Sequence, residues 1–105
     1  MALKIVNTSN KIISDRKEYI LSKQLIRSGT APGALVREAE FAQSRPDFIS
    51  KLSIALKEAN ECEYWLSLLK DSDYITQEVF SELDTDIKEI VRLLVSSIKT
   101  LKSSH

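Results

Sequence analysis

The longest regular pattern of apolar positions in the chain runs from Pro46 to Lys70. Seven apolar residues recur there at spacings of 4, 3, 4, 3, 4 and 3: Phe48, Leu52, Ala55, Ala59, Cys62, Leu66 and Leu69. Four more lie beside them: Ile49, Leu56, Trp65 and Leu68. This spacing is typical of a helix that packs lengthwise against several other helices. The pattern therefore predicts a central helix about 35 Å long.

Weaker apolar patterns predict three further helices. Residues 1–14 predict a short first helix, although polar residues that form helices poorly interrupt its apolar face. A second helix covers 17–43 with a kink at Pro32; two helices meeting near Gly29 are the alternative. A last helix opens at Thr76 and carries apolar residues to Leu101. We therefore predict an all-α fold, an antiparallel up-down four-helix bundle with a kinked second helix.

Side chains that cap helices mark the predicted boundaries. Asp15 and Glu18 have the spacing of a capping box at the start of the second helix. Asp47 is a natural N-cap for the central helix, with Ser44 as its rival, and Thr76 is placed to cap the last helix. These positions divide the chain into helices joined by short connections.

The composition agrees with a single helical domain over residues 1–105. Only two glycines and two prolines are present, so turn signals are few. No apolar run approaches the roughly 18 residues that a membrane helix needs, and the N-terminus lacks a signal-peptide core. A single cysteine fits a reducing compartment. We expect a cytoplasmic protein with no membrane partner.

The formal net charge is zero, but the two halves of the chain differ in sign. Residues 1–57 carry ten Lys and Arg against five Asp and Glu, and residues 58–105 carry five against ten. Opposite halves are suited to pairing within the fold or between copies. The zero total argues against strong nucleic-acid binding by a single copy, because that affinity comes mostly from phosphate neutralisation.

The sequence contains no recognisable combination of catalytic residues. The only histidine is the terminal His105, so Ser–His, Cys–His and two-histidine metal schemes lack a partner in an ordered place. Cys62 lies on the apolar seam, where we expect a buried, unreactive thiol. We predict that the protein is not an enzyme and has no catalytic residues, no cofactor and no small-molecule substrate.

Two carboxylates of the central helix are candidates for a pairing role. Glu58 and Glu61 lie three residues apart and therefore on one side of that helix. Di-metal sites in bundles pair such a Glu with a His three residues on, and the chain has no such His. We favour a structural ion pair with Arg27 or Arg37 over a metal site.

The basic half offers two hypotheses about function. Its candidates for phosphate contact are Lys23, Arg27, Arg37, Arg45, Lys51 and Lys57. In the first hypothesis, symmetry in a homo-oligomer gathers these side chains into a positive surface that binds RNA or a nucleoprotein. In the second, the protein is an assembly module in which basic and acidic halves meet across subunit interfaces. Tyr64 and Trp65 suit base stacking or, more often, a core or interface.

Two stretches resemble motifs of a known family. Residues 24–30 read QLIRSGT and precede Glu38 and Ala39, which is similar to the pattern Q-L-x-R-S-G-T-S-I-G-A-N-x-x-E-A. Residues 47–66 read DFISKLSIALKEANECEYWL and resemble D-F-x-x-K-L-x-I-A-x-K-E-A-x-E-x-x-Y-W-L. Both motifs resemble the four-helix-bundle proteins encoded by intervening sequences within bacterial 23S ribosomal RNA genes, which are sometimes labelled ribosomal proteins.

The resemblance implies an up-down four-helix bundle and a ring-shaped homo-oligomer, expected to be a pentamer. Related accessory proteins of diversity-generating retroelements bind nucleic acid through a basic surface, so RNA binding is implied by analogy. The chain departs from the family where Ser-Ile-Gly-Ala-Asn is usual, because residues 31–35 read APGAL. Leu35 therefore stands where the family has Asn.

Overall fold

Four α-helices make up the computed structural model, which describes residues 1–103. They are α1 (Ala2–Arg16), α2 (Ile20–Ala39), α3 (Arg45–Asp71) and α4 (Gln77–Ser103). No β-strand occurs within this part of the chain. The predicted all-α, four-helix fold is confirmed, and the central helix differs from its prediction by one residue at each end.

The heptad seam of α3 forms the centre of the core. Six of its seven positions are buried: Leu52, Ala55, Ala59, Cys62, Leu66 and Leu69. Phe48, the first position, is only partly buried. Helix α3 packs against α2 and α4, so both neighbours bury apolar surface on the same stripe.

The buried residues form two clusters along the 50 Å length of the molecule. The larger cluster takes Ile5 and Ile12 from α1 together with side chains of the other three helices. The smaller cluster, with Leu52 and Leu94 near its centre, contains residues of α2, α3 and α4 only. The bundle therefore has four helices at one end and three at the other.

Ion pairs between α2 and α3 follow the order expected of antiparallel neighbours. Arg27, near the middle of α2, pairs with Glu58 in the second half of α3. Glu38, at the end of α2, lies beside Lys51 near the start of α3. The sequence separation between the paired residues thus increases with their distance from the α2–α3 connection, as in two antiparallel helices.

Helix α2 is continuous from Ile20 to Ala39, so the alternative of two helices meeting near Gly29 is wrong. Pro32 lies inside the helix and lacks the N–H group that would reach the carbonyl of Ser28. The hydroxyl of Ser28 donates to the carbonyl of Gln24 at 2.9 Å, a contact that often accompanies bending. The kink itself stays a prediction.

The start of α2 differs from the predicted capping box. Asp15 lies within α1, and the carboxylate of Glu18 instead accepts hydrogen bonds from the backbone N–H groups of Ile20, Leu21 and Ser22 at 2.9–3.0 Å. Burial acts to raise the pKa of Glu18, but these hydrogen bonds outweigh it and the pKa is lowered. Glu18 therefore stabilises the helix start as a carboxylate.

The caps of α3 and α4 come from hydroxyl side chains. Ser44 Oγ accepts from the N–H of Asp47 at 3.2 Å, so Ser44 is the N-cap of α3 and Asp47 is not. Pro46 does not compete with this cap, because a proline in the first turn loses no helical hydrogen bond. Thr76 Oγ1 accepts from the N–H of Val79 at 3.1 Å, as predicted.

A glycine permits the close approach of α1 to α2. A Cβ atom added at Gly29 would lie 2.7 Å from Cγ2 and 2.9 Å from Cγ1 of Ile5. Ile5 is fully buried, so it has little room to move aside. Gly33, one turn further along α2, has no such neighbour within 4 Å.

We predict opposite effects of alanine at these two glycines. Gly29→Ala should destabilise the fold, since overpacking costs about 1–3 kcal/mol and the gain in helix propensity offsets only part of that. Gly33→Ala should stabilise it by about 0.5–1 kcal/mol. Urea unfolding of both variants measures the two changes. Equal effects at the two positions would contradict the close α1–α2 packing.

Candidate functional site

An ionic cluster joins α2 to α3. Arg27 Nη1 donates to Glu58 Oε2 at 2.6 Å, and Arg27 Nη2 donates to Glu61 Oε1. Gln24 Oε1 accepts from Nε and Nη2 of the same guanidinium at 3.3 and 3.1 Å. The structure thus brings Arg27, Glu58 and Glu61 together. Arg37 lies about 15 Å further along α2.

The geometry of the two helices explains this cluster. Glu58 and Glu61 are three residues apart on α3, and antiparallel packing places their side of the helix against Arg27. The hydrogen bond to Glu61 is the main reason that the pKa of Arg27 is raised, with Glu58 adding to it and partial burial opposing it. Two carboxylates therefore neutralise the guanidinium within the fold, and Arg27 offers little positive charge to a phosphate.

The other basic candidates have differing surroundings. Lys51 Nζ lies 3.9 Å from Glu38 Oε2. The guanidinium of Arg45 donates to the carbonyl of Leu101 at 2.9 Å, which ties the start of α3 to the end of α4. Lys23, Arg37 and Lys57 are exposed, as are Arg27 and Arg45 despite their contacts. The basic residues are thus spread along two helices, and part of their charge is used inside the bundle.

The single thiol is part of the core. Cys62 is fully buried, and burial raises its pKa to about 12 although a hydrogen bond with Ser28 acts in the opposite direction. A thiol with such a pKa stays protonated at neutral pH, so Cys62 behaves as a small apolar residue. His105 lies outside the described residues.

The described helices offer neither a metal site nor a membrane span. Across residues 1–103, no three Cys, His, Asp or Glu side chains are grouped as a metal ion would require. The same stretch contains no helix with both the length and the apolar character needed to cross a bilayer.

An apolar groove lies between α2 and α4 at the three-helix end. Its volume is about 650 Å³. Phe48 and Leu52 of α3 contribute to its lining, together with Val36 of α2 and Leu93 of α4. Leu93 is 59% exposed and Val36 is 38% exposed. We call this surface the α2–α4 groove.

The α2–α4 groove continues the position that α1 occupies at the other end of the bundle. Lys4 of α1 pairs with Glu82 at 2.9 Å and with Asp86 at 3.4 Å, so α1 lies against this face of α4. Leu93 follows Asp86 by two helical turns on the same face. No helix of residues 1–103 covers α4 there, and the face stays open.

A second apolar surface runs along the outer side of α3. Its residues follow another heptad spacing, 3, 4, 3 and 4, and we call them the α3 ridge: Ile54, Lys57, Glu61, Tyr64 and Leu68. Tyr64 is 60% exposed and Ile54 is 43% exposed. Trp65, by contrast, packs against the core and meets the Tyr64 ring edge-on at 5.0 Å.

Sequence reasoning did not identify the α2–α4 groove, although a signal for it exists. Three small polar residues follow Leu93 at helical spacing: Ser96, Ser97 and Thr100. The predicted first helix was also much shorter than the third. A short helix beside a long one leaves part of the long helix uncovered, and this comparison would have located the open face.

These features define the chain as an all-α bundle protein with two open apolar surfaces. A family model described as 23S rRNA-intervening sequence protein matches residues 1–96, and the chain belongs to this family. The resemblance drawn from the two motifs is therefore confirmed.

A solved structure shares both sequence and fold with the chain. It is a protein with unknown function from the S23 ribosomal protein family of Bacteroides thetaiotaomicron, and it is 55% identical to the chain. The match covers 93% of this chain and 91% of that one, with a TM-score of 0.91. The comparison with curated proteins finds no match.

We predict that the ionic cluster contributes to stability. Arg27→Ala should lower the free energy of unfolding by about 1 kcal/mol, because it leaves Glu58, whose side chain is only 14% exposed, without its guanidinium partner. Arg37→Ala is the matched control on the same helix, and its effect should stay within about 0.5 kcal/mol. Urea unfolding measures both variants. An Arg27→Ala variant as stable as the Arg37→Ala variant would show that the cluster is energetically neutral.

Proposed function

We propose that the chain is a non-enzymatic, cytoplasmic homo-oligomer that works as a protein–protein assembly module. The observation that carries this proposal is the α2–α4 groove, where Leu93 and Val36 stay exposed beside a partly buried Phe48. Large apolar surfaces on soluble proteins usually mark interaction sites, since their exposure to water is unfavourable. The family resemblance supports a ring, and a pentamer is the expected form.

The charge distribution also favours assembly over a purely basic binding surface. Arg27 is neutralised by Glu58 and Glu61, and Lys51 lies near Glu38. Charges of the basic half are thus partly paired within one copy. One copy also leaves apolar surface uncovered, and apolar surface is covered best by another protein.

We predict that the native mass exceeds the 11.9 kDa of one chain. Sedimentation at micromolar protein should give an oligomer at low salt and also at about 1 M salt, where the Debye length falls to about 3 Å and exposed ion pairs are screened. An oligomer that separates at high salt would mean that charge pairing, not apolar contact, holds it together. A monomer at both salt concentrations would overturn the proposal.

RNA or nucleoprotein binding is a second candidate function. Lys23, Arg37 and Lys57 are exposed on α2 and α3, and the symmetry of an oligomer would repeat each of them several times. Repetition raises the local positive potential although each copy has no net charge. Binding by such a surface would depend on the oligomer.

We predict salt-dependent RNA binding if this second function holds. A single-stranded RNA probe should be retained at about 50 mM salt and released steeply towards about 200 mM, because phosphate contacts release counterions. The double variant Arg37→Gln/Lys57→Gln should weaken retention, whereas Arg27→Gln should change it little since that side chain is already neutralised. Absence of retention at about 50 mM salt would exclude this function.

A further inference from the structure

The two exposed apolar side chains of the α3 ridge are separated by about the length of the α2–α4 groove. The α2–α4 groove extends along α4 from Ile90 to Leu101, which is about 16 Å of helix. On the α3 ridge, Ile54 and Tyr64 are ten residues apart, which is about 15 Å. A helix carrying two large side chains at that separation would place one near each end of the groove.

The shape of the α2–α4 groove suits a helix as its occupant. Helix α1 fills the same position at the four-helix end, where Ile5 packs against Gly29 of α2. Along the open part, α4 presents Ser96, Ser97 and Thr100. Small side chains of this kind let a second helix approach α4 closely, while Leu93 supplies an apolar contact with that helix.

The charges of the two surfaces are complementary. Glu89 lies one turn before Leu93 on α4, near one end of the groove, and Glu40 lies one turn after Val36 on α2, near the Leu101 end, which Arg45 also contacts. On the α3 ridge, Glu61 is paired with Arg27. Lys57, in contrast, is exposed between the two apolar positions. A lysine so placed is attracted by the carboxylates that border the groove.

One copy cannot cover its own groove. Leu52 belongs to the buried seam of α3 and forms part of the groove lining. Ile54 and Tyr64 lie on the opposite side of the same helix. The two surfaces therefore face away from each other across the bundle, and only a second molecule can bring them into contact.

We propose that the α3 ridge of one copy docks in the α2–α4 groove of the next copy. This inference rests on the proposed self-association and assigns the surfaces that perform it. Because the two surfaces differ, the contact is head-to-tail and repeats from copy to copy, closing into a ring where the rotation allows. The contact buries Leu93 and Val36 on one side and Ile54 and Tyr64 on the other.

Engineered cysteines test this contact directly, because the native Cys62 is buried and unreactive. A Leu93→Cys chain is co-expressed with an Ile54→Cys chain and, separately, with a Tyr64→Cys chain, since the ridge positions sample the two ends of the groove. We expect disulfide-linked heterodimers under mild oxidation in at least one pair, and no disulfide-linked homodimer from any single variant. Ser14→Cys, at an exposed position of α1, replaces the ridge variant as the matched control and should give no heterodimer with Leu93→Cys.

The native mass of the same preparations separates the failure of this inference from the failure of the proposed function. An oligomeric mass without a heterodimer would overturn the ridge-to-groove contact and leave self-association in place. Disulfide-linked homodimers of Leu93→Cys alone would show that groove meets groove and would also overturn it. A monomeric mass would overturn both proposals. Circular dichroism of each variant checks that the helices are intact.

Discussion

Burial of the α3 seam is the interaction on which the rest of the structure depends. Each of its buried positions is covered by α2 on one side or α4 on the other, and α1 completes only part of that cover. Three small residues, Ala55, Ala59 and Cys62, stand together in the middle of the seam between Leu52 and Leu66. Helices can approach most closely where side chains are small, so this part of the seam permits close packing of α2 and α4 on α3.

The unequal lengths of the helices determine where this cover is incomplete. Helix α1 has 15 residues whereas α3 and α4 have 27 each, so α1 spans little more than half of its neighbours. Ile5 and Ile12 close the core at one end. At the other end Leu93 occupies the face that α1 would cover and stays exposed. The α2–α4 groove is therefore a consequence of helix length, and it occurs without any irregularity of the fold.

Features that produce a periodic pattern within one stretch of sequence were predicted. Features that depend on a single backbone conformation or on how two helices lie relative to each other were missed. The heptad spacing from Phe48 to Leu69 located α3, and Thr76 located the start of α4. The start of α2 was wrong because Lys17 adopts a left-handed conformation (φ 57°) that ends α1 beyond Asp15. Such a single-residue change in backbone direction has no periodic signal. The groove was missed because it depends on which helix faces α4 along its length, and no single stretch of sequence contains that information.

The ionic cluster and the open apolar surfaces have different consequences for how the protein can act. Arg27 is bound by two carboxylates of its own chain, so its charge orients α2 against α3 and has little reach beyond the fold. Leu93, Val36, Ile54 and Tyr64 have no comparable cover. Exposure of such side chains to water is unfavourable, and the free energy gained by burying them increases with the area buried. In a bundle with no net charge, no strong repulsion between identical copies opposes that gain, which favours the proposed self-association.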